Sequence, residues 1–220
     1  ATFLSAVDEK IHQLMQKHEL LSQYKQGMIQ KLFSQQIRFK ADDGGEFGEW
    51  DYLELDELLD YEQPTKYIVE STEYSDSFDT PVLTAGKSFI LGYTNEKNGI
   101  FDAEKENVII FDDFTTAYKF VDFNFKVKSS AMKILKVKSK RSNIFFVYLA
   151  FSNVNLPLGD EHKRRWISEF SKVEIPVPCL AEQTKIANFL SAIDQKIEVV
   201  AQQIEQAKQW KKGLLQQMFV

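Results

Sequence analysis

Residues 1–33, ATFLSAVDEKIHQLMQKHELLSQYKQGMIQKLF, return as residues 187–219, ANFLSAIDQKIEVVAQQIEQAKQWKKGLLQQMF, at a constant offset of 186 and without a gap. Identical pairs include Phe3/Phe189, Leu4/Leu190, Ser5/Ser191, Ala6/Ala192, Asp8/Asp194, Lys10/Lys196, Ile11/Ile197, Lys25/Lys211 and Gly27/Gly213. Tyr24/Trp210 and Met28/Leu214 are conservative pairs. An internal duplication takes precedence over every other pattern, because both copies must solve the same folding problem.

Both copies are predicted helical. In the first, Leu4, Val7, Ile11, Leu14, Leu21, Met28 and Leu32 follow a spacing that alternates three and four. The second keeps Leu190, Ile193, Ile197, Val200, Ile204, Ala207, Leu214 and Met218 in the same register. This is a heptad seam over about four heptads, the pattern of a coiled coil. Leu4, Val7, Ile11, Leu14, Leu21, Met28, Leu190, Ile193, Ile197, Val200, Ile204 and Leu214 are its expected interface. His18 takes the seam slot of Ile204 and reads as a partly solvated coiled-coil histidine. Lys25 and Lys211 also occupy seam slots, where polar residues cost stability and set register. One helix runs into the middle of the chain and the other runs out of it, so pairing along their length is antiparallel, with the globular part at one end. Thirty-one helical residues span ~46 Å, more than one ~34 Å turn of duplex DNA. The rods could serve as a ruler, or only as a dimerisation handle.

The middle reads as one mixed α/β unit, giving an α+β chain in three parts: a helix over 1–33, a domain over 34–180 and a helix over 181–220. Asp42-Asp43-Gly44-Gly45 is a linker. A short helix is expected over 53–59 and a buried one over 143–151. Strands are expected at 67–70, 81–83, 89–93, 107–111, 118–123 and 132–137, where β-branched and aromatic residues are bounded by turn formers. Residues 164–170 could form a strand or short helix. In 173–178, VEIPVP, each proline forces its predecessor to be extended.

At 220 residues, 44% apolar and with 18 Phe, the chain can bury a real core. The single cysteine, Cys179, excludes an internal disulfide framework and fits a reducing, cytoplasmic compartment. No apolar run long enough for a membrane span occurs, and no signal peptide is evident. The chain opens without Met inside a repeat, which reads as a piece of a longer protein. Net charge is −5, but it is unevenly spread. From Asp42 to Asp113 there are 20 acids against 4 bases; from Phe114 to Lys172 there are 12 bases against 4 acids. Such asymmetry signals either a polyanion-binding face or two halves that neutralise each other on folding.

Enzyme signatures are missing. There is no phosphate-binding G-x-x-x-x-G-K, no G-x-G dinucleotide or methyl-donor loop, and no G-x-S-x-G nucleophile elbow. His162 is the one histidine outside the repeat, and no histidine stands near Cys179 in sequence to activate it. These gaps weigh against the common enzyme classes, while a nuclease site can be built from scattered Asp, Glu and Lys; neither metal nor cofactor is expected.

The string IPVPCLAEQTKIANFLSAIDQKI resembles the end of a target recognition domain running into a helix of type I restriction-modification specificity subunits. PVLTAGKSFILGYT and NVIIFDDFTTAYKFVDFNFKVKSSAMKIL resemble the body of such a domain. The resemblance covers essentially the whole chain as helix, recognition domain, helix, which is about the C-terminal half of a family member. It departs from the pattern in having one recognition domain, and in a first helix without a Pro-x-Pro and Glu-Gln lead-in. What it implies is a DNA reader with no catalytic role of its own that takes one half of a bipartite target. Its paired helices would set the spacing of the halves and dock modification (methyltransferase) subunits, and through them a restriction subunit. A homodimer of the fragment could imitate a full subunit.

A base reader needs donors and acceptors on loops held by a rigid sheet, and cations for phosphates. Thr84, Gly86 and Lys87 lie between two expected strands; an ordinary turn is the plainer reading. Asp112, Asp113, Thr115 and Thr116 follow an apolar strand. They could take an amino group of cytosine or adenine, form part of a metal site, or be a turn in which Asp caps its own backbone. Lys136, Lys138, Lys140 and Arg141 form one basic run, of which Lys138, Lys140 and Arg141 are kept as DNA contacts. Lys163, Arg164 and Arg165, beside Trp166, form another. Both are candidate phosphate contacts, or solvated faces balancing the acidic half. Two rivals stand against DNA reading: a pure coiled-coil interaction scaffold, and a metal-dependent nuclease using Asp112, Asp113 and a lysine.

Overall fold

The computed structural model describes residues 2–84, 88–138, 140–154 and 165–218. Helix α1 (Thr2–Phe33) and helix α5 (Leu180–Met218) are the two repeat copies. Between them come β1 (Asp51–Glu54), α2 (Leu55–Leu58), β2 (Leu59–Glu62), β3 (Thr80–Leu83), β4 (Ile90–Thr94), β5 (Val108–Asp112), β6 (Tyr118–Val121), β7 (Lys126–Val127), β8 (Met132–Val137), α3 (Ile144–Ser152), α4 (Arg165–Ser168) and β9 (Glu174–Val177).

The rods pair antiparallel. Lys25 Nζ meets the Asp194 carboxylate at 2.5 Å, and Lys211 Nζ meets Asp8 at 2.5 Å. The offset of 186 carries Lys25 onto Lys211 and Asp194 onto Asp8, so one contact occurs twice about a local pseudo-twofold axis. The lysines in apolar seam slots are thus answered by carboxylates of the opposite rod. Leu14, Val200 and Ile204 form the buried mid-section, with Leu21 and Ala207 packed on it. Val7, Leu190 and Ile193 are also buried, and Leu4, Ile11, Met28, Ile197 and Leu214 are half-buried. His18 is half-buried at the slot equivalent to Ile204. At the domain end, α1 buries Leu32 and Phe33 against Trp50 and Phe146. The chain then turns through Gln35 at φ 56, with the Ile37 amide bonding back to the Lys31 carbonyl, a left-handed helix stop.

The middle is built on a four-stranded antiparallel sheet of order β2-β8-β5-β6. Every residue of β5 is buried, because both faces are covered. Ile109 and Phe111 point into a core shared with α3, Trp166, Phe170 and the start of α5. Val108 and Ile110 point into a second core with Leu83, Phe101, Phe125 and Val127. That is the period-two alternation of a strand, read by two cores instead of one core and water. Each fully buried Phe or Ile contributes about 1.5–3 kcal/mol. The second core is capped by a three-stranded sheet of order β4-β3-β7, in which β3 and β7 run parallel. β1 and β9 pair as a separate ribbon, with Tyr52 opposite Pro176; a two-stranded ribbon has edges that tolerate proline.

The expected helix near 143–151 is α3, capped by the Asn143 side chain, which accepts from the Phe146 amide at 3.0 Å. The expected strand at 67–70 is not one. Residues Pro64–Tyr67 form a 3-10 turn, and Ile68 makes only a bridge to Val127, because Pro64 presets the turn angle. The expected helix at 53–59 shrinks to α2, since strands β1 and β2 take its ends. Those strands, DYLE and LDYE, carry too many acids for strand propensity to show them. Among the described residues no helix is long and apolar enough to cross a membrane.

Candidate nucleic-acid interface

Four segments converge at one end of the central sheet. The tight turn 113–117 joins β5 to β6. The Asp113 amide donates to the Ala131 carbonyl at 3.3 Å, which brings in the loop before β8. The Trp166 amide donates to Asp113 Oδ1 at 2.9 Å, which brings in α4. Lys119 of β6 lies over the Phe89 ring at 4.8 Å, which brings in the end of the β3–β4 connection. Sequence-distant segments thus present one edge, held by a sheet whose strand β5 is buried on both faces.

The turn is built on Asp112. Its Oδ1 accepts from the amides of Phe114 and Thr115, both at 2.7 Å, and the Thr116 amide donates to its carbonyl at 2.9 Å. Asp112 is 2% exposed, and its Oδ2 is buried with no hydrogen-bond partner. Of the three sequence readings, the self-capping turn describes this geometry. Asp113 is also buried: Oδ1 holds the Trp166 amide, and Oδ2 lies 2.8 Å from Lys133 Nζ, a lysine 2% exposed. As folded, both carboxylates are committed to holding the edge together, which leaves Thr115 and Thr116 as the polar groups outside. Thr115 is exposed and its Oγ1 accepts from the Ala117 amide at 3.3 Å. Thr116 is half-buried and has φ 58.

Thr84 is half-buried at the same edge, its amide donating to the Phe89 carbonyl at 2.9 Å. Gly86, Lys87, Lys163 and Arg164 lie outside the described residues, as does His162. Arg165 opens α4 and is 9% exposed, so it belongs more to the interior than to a solvated cluster. The Trp166 ring packs 5.4 Å from Phe111; it is core.

The run 138–141 is elsewhere. It follows the far end of β8, about 20 Å from the turn at the rise of a strand. Lys138 Nζ donates to the Asp56 carbonyl at 3.0 Å and lies 3.8 Å from Asp60. Lys140 and Arg141 are exposed. The Arg141 carbonyl accepts from Gln183 Nε2, which ties this run to the root of α5. The candidates therefore divide into a distal edge and a basic run beside the rod.

Charge resolves largely as neutralisation. Lys126 pairs with Glu96 at 2.7 Å, Lys136 with Glu62 at 2.7 Å and Glu106 at 3.0 Å, and Lys172 with Glu54 at 3.0 Å and Asp56 at 2.6 Å. β2 lies against β8, with Asp60 opposite Lys136, so the acid-rich and base-rich halves meet across a strand pair. Burial opposes ionisation of Glu62, but Lys136, Lys66 and the Tyr67 hydroxyl outweigh it and bring its pKa down to about 2.

The joint between domain and rod went unnoticed in the sequence, although Glu182-Gln183 stands in the string that carries the family resemblance. Glu182, fully buried, accepts from Arg38 Nε at 3.1 Å, Arg38 Nη2 at 2.7 Å and Trp50 Nε1 at 3.1 Å. Its hydrogen bonds raise the Arg38 pKa. Gln183 Oε1 accepts from the Asn143 amide at 2.9 Å, and its Nε2 donates to the Pro178 carbonyl at 2.8 Å. Two adjacent side chains thus clamp the first turn of α5 to the domain. Lys119 was also missed; its alternation with half-buried Tyr118 and Phe120 on β6 was the available signal.

Residues 48–209 match the model of the type I restriction modification DNA specificity domain. The chain is similar to the type I restriction enzyme EcoR124I/EcoR124II specificity subunit of Escherichia coli, 48% identical over 151 residues, covering 64% of this chain and 37% of that protein. It is also similar to the type I restriction enzyme MjaVIII specificity subunit of Methanocaldococcus jannaschii, 25% identical over 181 residues, covering 78% of this chain and 42% of that protein. The chain thus spans less than half the length of these two relatives. A crystal structure of the S subunit of a type I restriction-modification system from M. genitalium superposes with a TM-score of 0.70 at 15% identity, over all of this chain and 59% of that one. That likeness concerns the fold.

Proposed function

Since the chain belongs to the type I restriction modification DNA specificity domain family, we propose that it reads one half of a bipartite DNA target, as a non-catalytic part of a specificity subunit acting in the cytoplasm. The observation that carries this reading is the convergence of the β5–β6 turn, the end of the β3–β4 connection, the loop before β8 and α4 at one edge of a sheet anchored by the fully buried strand β5. Recognition of base edges requires side chains held in fixed positions on a rigid support. Here buried Asp112 and Asp113 do the holding. Thr84, Thr115 and Thr116 supply hydroxyls, with Gly86 and Lys87 in the neighbouring connection. Arg165 is buried at the start of α4; Lys163 and Arg164, which precede it in the sequence, join Lys138, Lys140 and Arg141 as the cationic candidates. These cations would contact phosphates.

The rods would dock modification subunits, and through these a restriction subunit. The local pseudo-twofold axis supports such an arrangement, because duplicated rods offer two equivalent surfaces. A homodimer of this chain would supply a second domain of the same specificity. The nuclease alternative has little support, as Asp112 and Asp113 are engaged in the fold. Among the described residues no group of three or more His, Cys, Asp or Glu could hold a metal.

The test is binding of the full-length subunit, with its modification partner, to duplexes with and without the motif found by methylation sequencing of the host. Two to five phosphate contacts give a log–log salt slope of about −2 to −4. A slope near zero, with no preference for the motif, returns the chain to the scaffold class. Cleavage by the subunit alone in Mg²⁺ would instead establish a nuclease.

A further inference from the structure

Phe114 stands at the tip of the β5–β6 turn and is 67% exposed, the highest value for a large hydrophobic side chain among the described residues. Its ring therefore contributes little to either core. The backbone beneath it is nonetheless tightly determined. Asp112 Oδ1 accepts the amides of Phe114 and Thr115, and the Asp112 amide donates to the Ala117 carbonyl at 2.9 Å. Thr116 sits in the left-handed region at φ 58, where a β-branched residue is strained by on the order of 1–3 kcal/mol. Gly or Asn would close this turn at less cost. The fold thus sustains strain and buries a carboxylate to fix the stretch of backbone from which an exposed aromatic ring projects. Ile167, 47% exposed on α4, lies on the segment that Asp113 anchors beside the turn.

We propose that Phe114 packs on the C5-methyl group of a thymine in the major groove and thereby sets one position of the target. This rests on the DNA-reading assignment above. Thymine presents a methyl and the O4 acceptor side by side. Next to Phe114, the Thr115 hydroxyl accepts from the Ala117 amide, which leaves its proton to donate to O4. Ring and hydroxyl together match both features of one base. Burial of Asp112 and Asp113 agrees with this, since neither carboxylate is left exposed to take an amino group of cytosine or adenine.

The experiment uses the full-length specificity subunit assembled with its modification subunits. Each thymine of the methylated motif is replaced in turn by deoxyuridine, and duplex affinity is measured. For the unaltered protein, one substitution in the half-site read by this domain weakens binding about three- to fivefold, the worth of one buried methyl group. Phe114→Ala removes sensitivity at that position only, and methylation sequencing of its host shows the motif relaxed there. Phe114→Ser repeats the comparison should the alanine variant fail to fold. Indifference of the unaltered protein to uracil at every position overturns the proposal, as does retained discrimination in either folded variant. Exchange of residues 34–180 for another recognition domain separates the two claims. An unchanged motif after exchange defeats DNA reading by this domain, whereas a motif that moves with the domain but ignores uracil defeats only the Phe114 contact.

Discussion

Lys25 Nζ lies 2.5 Å from the Asp194 carboxylate across the two rods, and the repeat copies this contact as Lys211 to Asp8. The lysine slots lie on the apolar seam, and the pairing turns a local cost into a register lock. The side chains are partly exposed, at 21% for Lys25 and 39% for Asp194. Each pair is therefore worth about 0.2–1 kcal/mol. Lys25→Glu should destabilise by about 1 kcal/mol in urea unfolding, and Lys25→Glu with Asp194→Lys should recover most of it. An additive double variant would show that the pair sets no register.

Glu182 should matter more. It is fully buried and answers Arg38 and Trp50 together. Glu182→Ala leaves a guanidinium and an indole N–H without their acceptor at the root of α5. We expect a loss of about 2–4 kcal/mol, somewhat under the usual cost of breaking a buried pair because Arg38 retains some solvent access. Denaturant unfolding followed by Trp fluorescence measures it. A loss below about 1 kcal/mol would mean that the joint is held by apolar packing alone.

Asp113→Ala should strand Lys133, whose side chain is 2% exposed. An unpaired buried ammonium costs about 3–5 kcal/mol. Asp113→Ala with Lys133→Met removes both charges and should regain the charge-related part of that loss, while the Trp166 amide stays without its acceptor. Thermal melts of the single and double variants decide it; equal melting of the two would contradict the pairing.

Acid should weaken the β2–β8 pairing. The folded pKa of Glu62 is about 2, against 4.5 for an ordinary glutamate. Its contribution is therefore complete above pH 4.5 and is lost as pH falls through about 2. After allowance for solvent screening that contribution is roughly 1–2 kcal/mol. Glu62→Gln should flatten the fall in melting temperature between pH 5 and pH 2. An unaltered acid limb would place the sensitivity in other carboxylates.

The duplicated heptad seam implied two rods, because such a pattern is local and repeats every few residues, and the chain's passage into and out of the middle implied that rods paired along their length run antiparallel with the domain at one end. The apolar strand Val108–Phe111 and the helix near 143–151 were legible for the same reason. The fates of the charged residues were not. A count of 12 bases could not tell that Lys126, Lys133, Lys136, Lys138 and Lys172 all face acids of the other half. Strand order and register make those pairs, and both join residues far apart in the chain. Nor could the string Asp112-Asp113-Phe114-Thr115 reveal which side chains turn inward. Only the packed edge buries Asp112 under the amides of its own turn, Asp113 against the Trp166 amide and Lys133, and leaves the ring outside. Periodicity is a property of neighbours along the chain, whereas burial and charge pairing belong to neighbours in space.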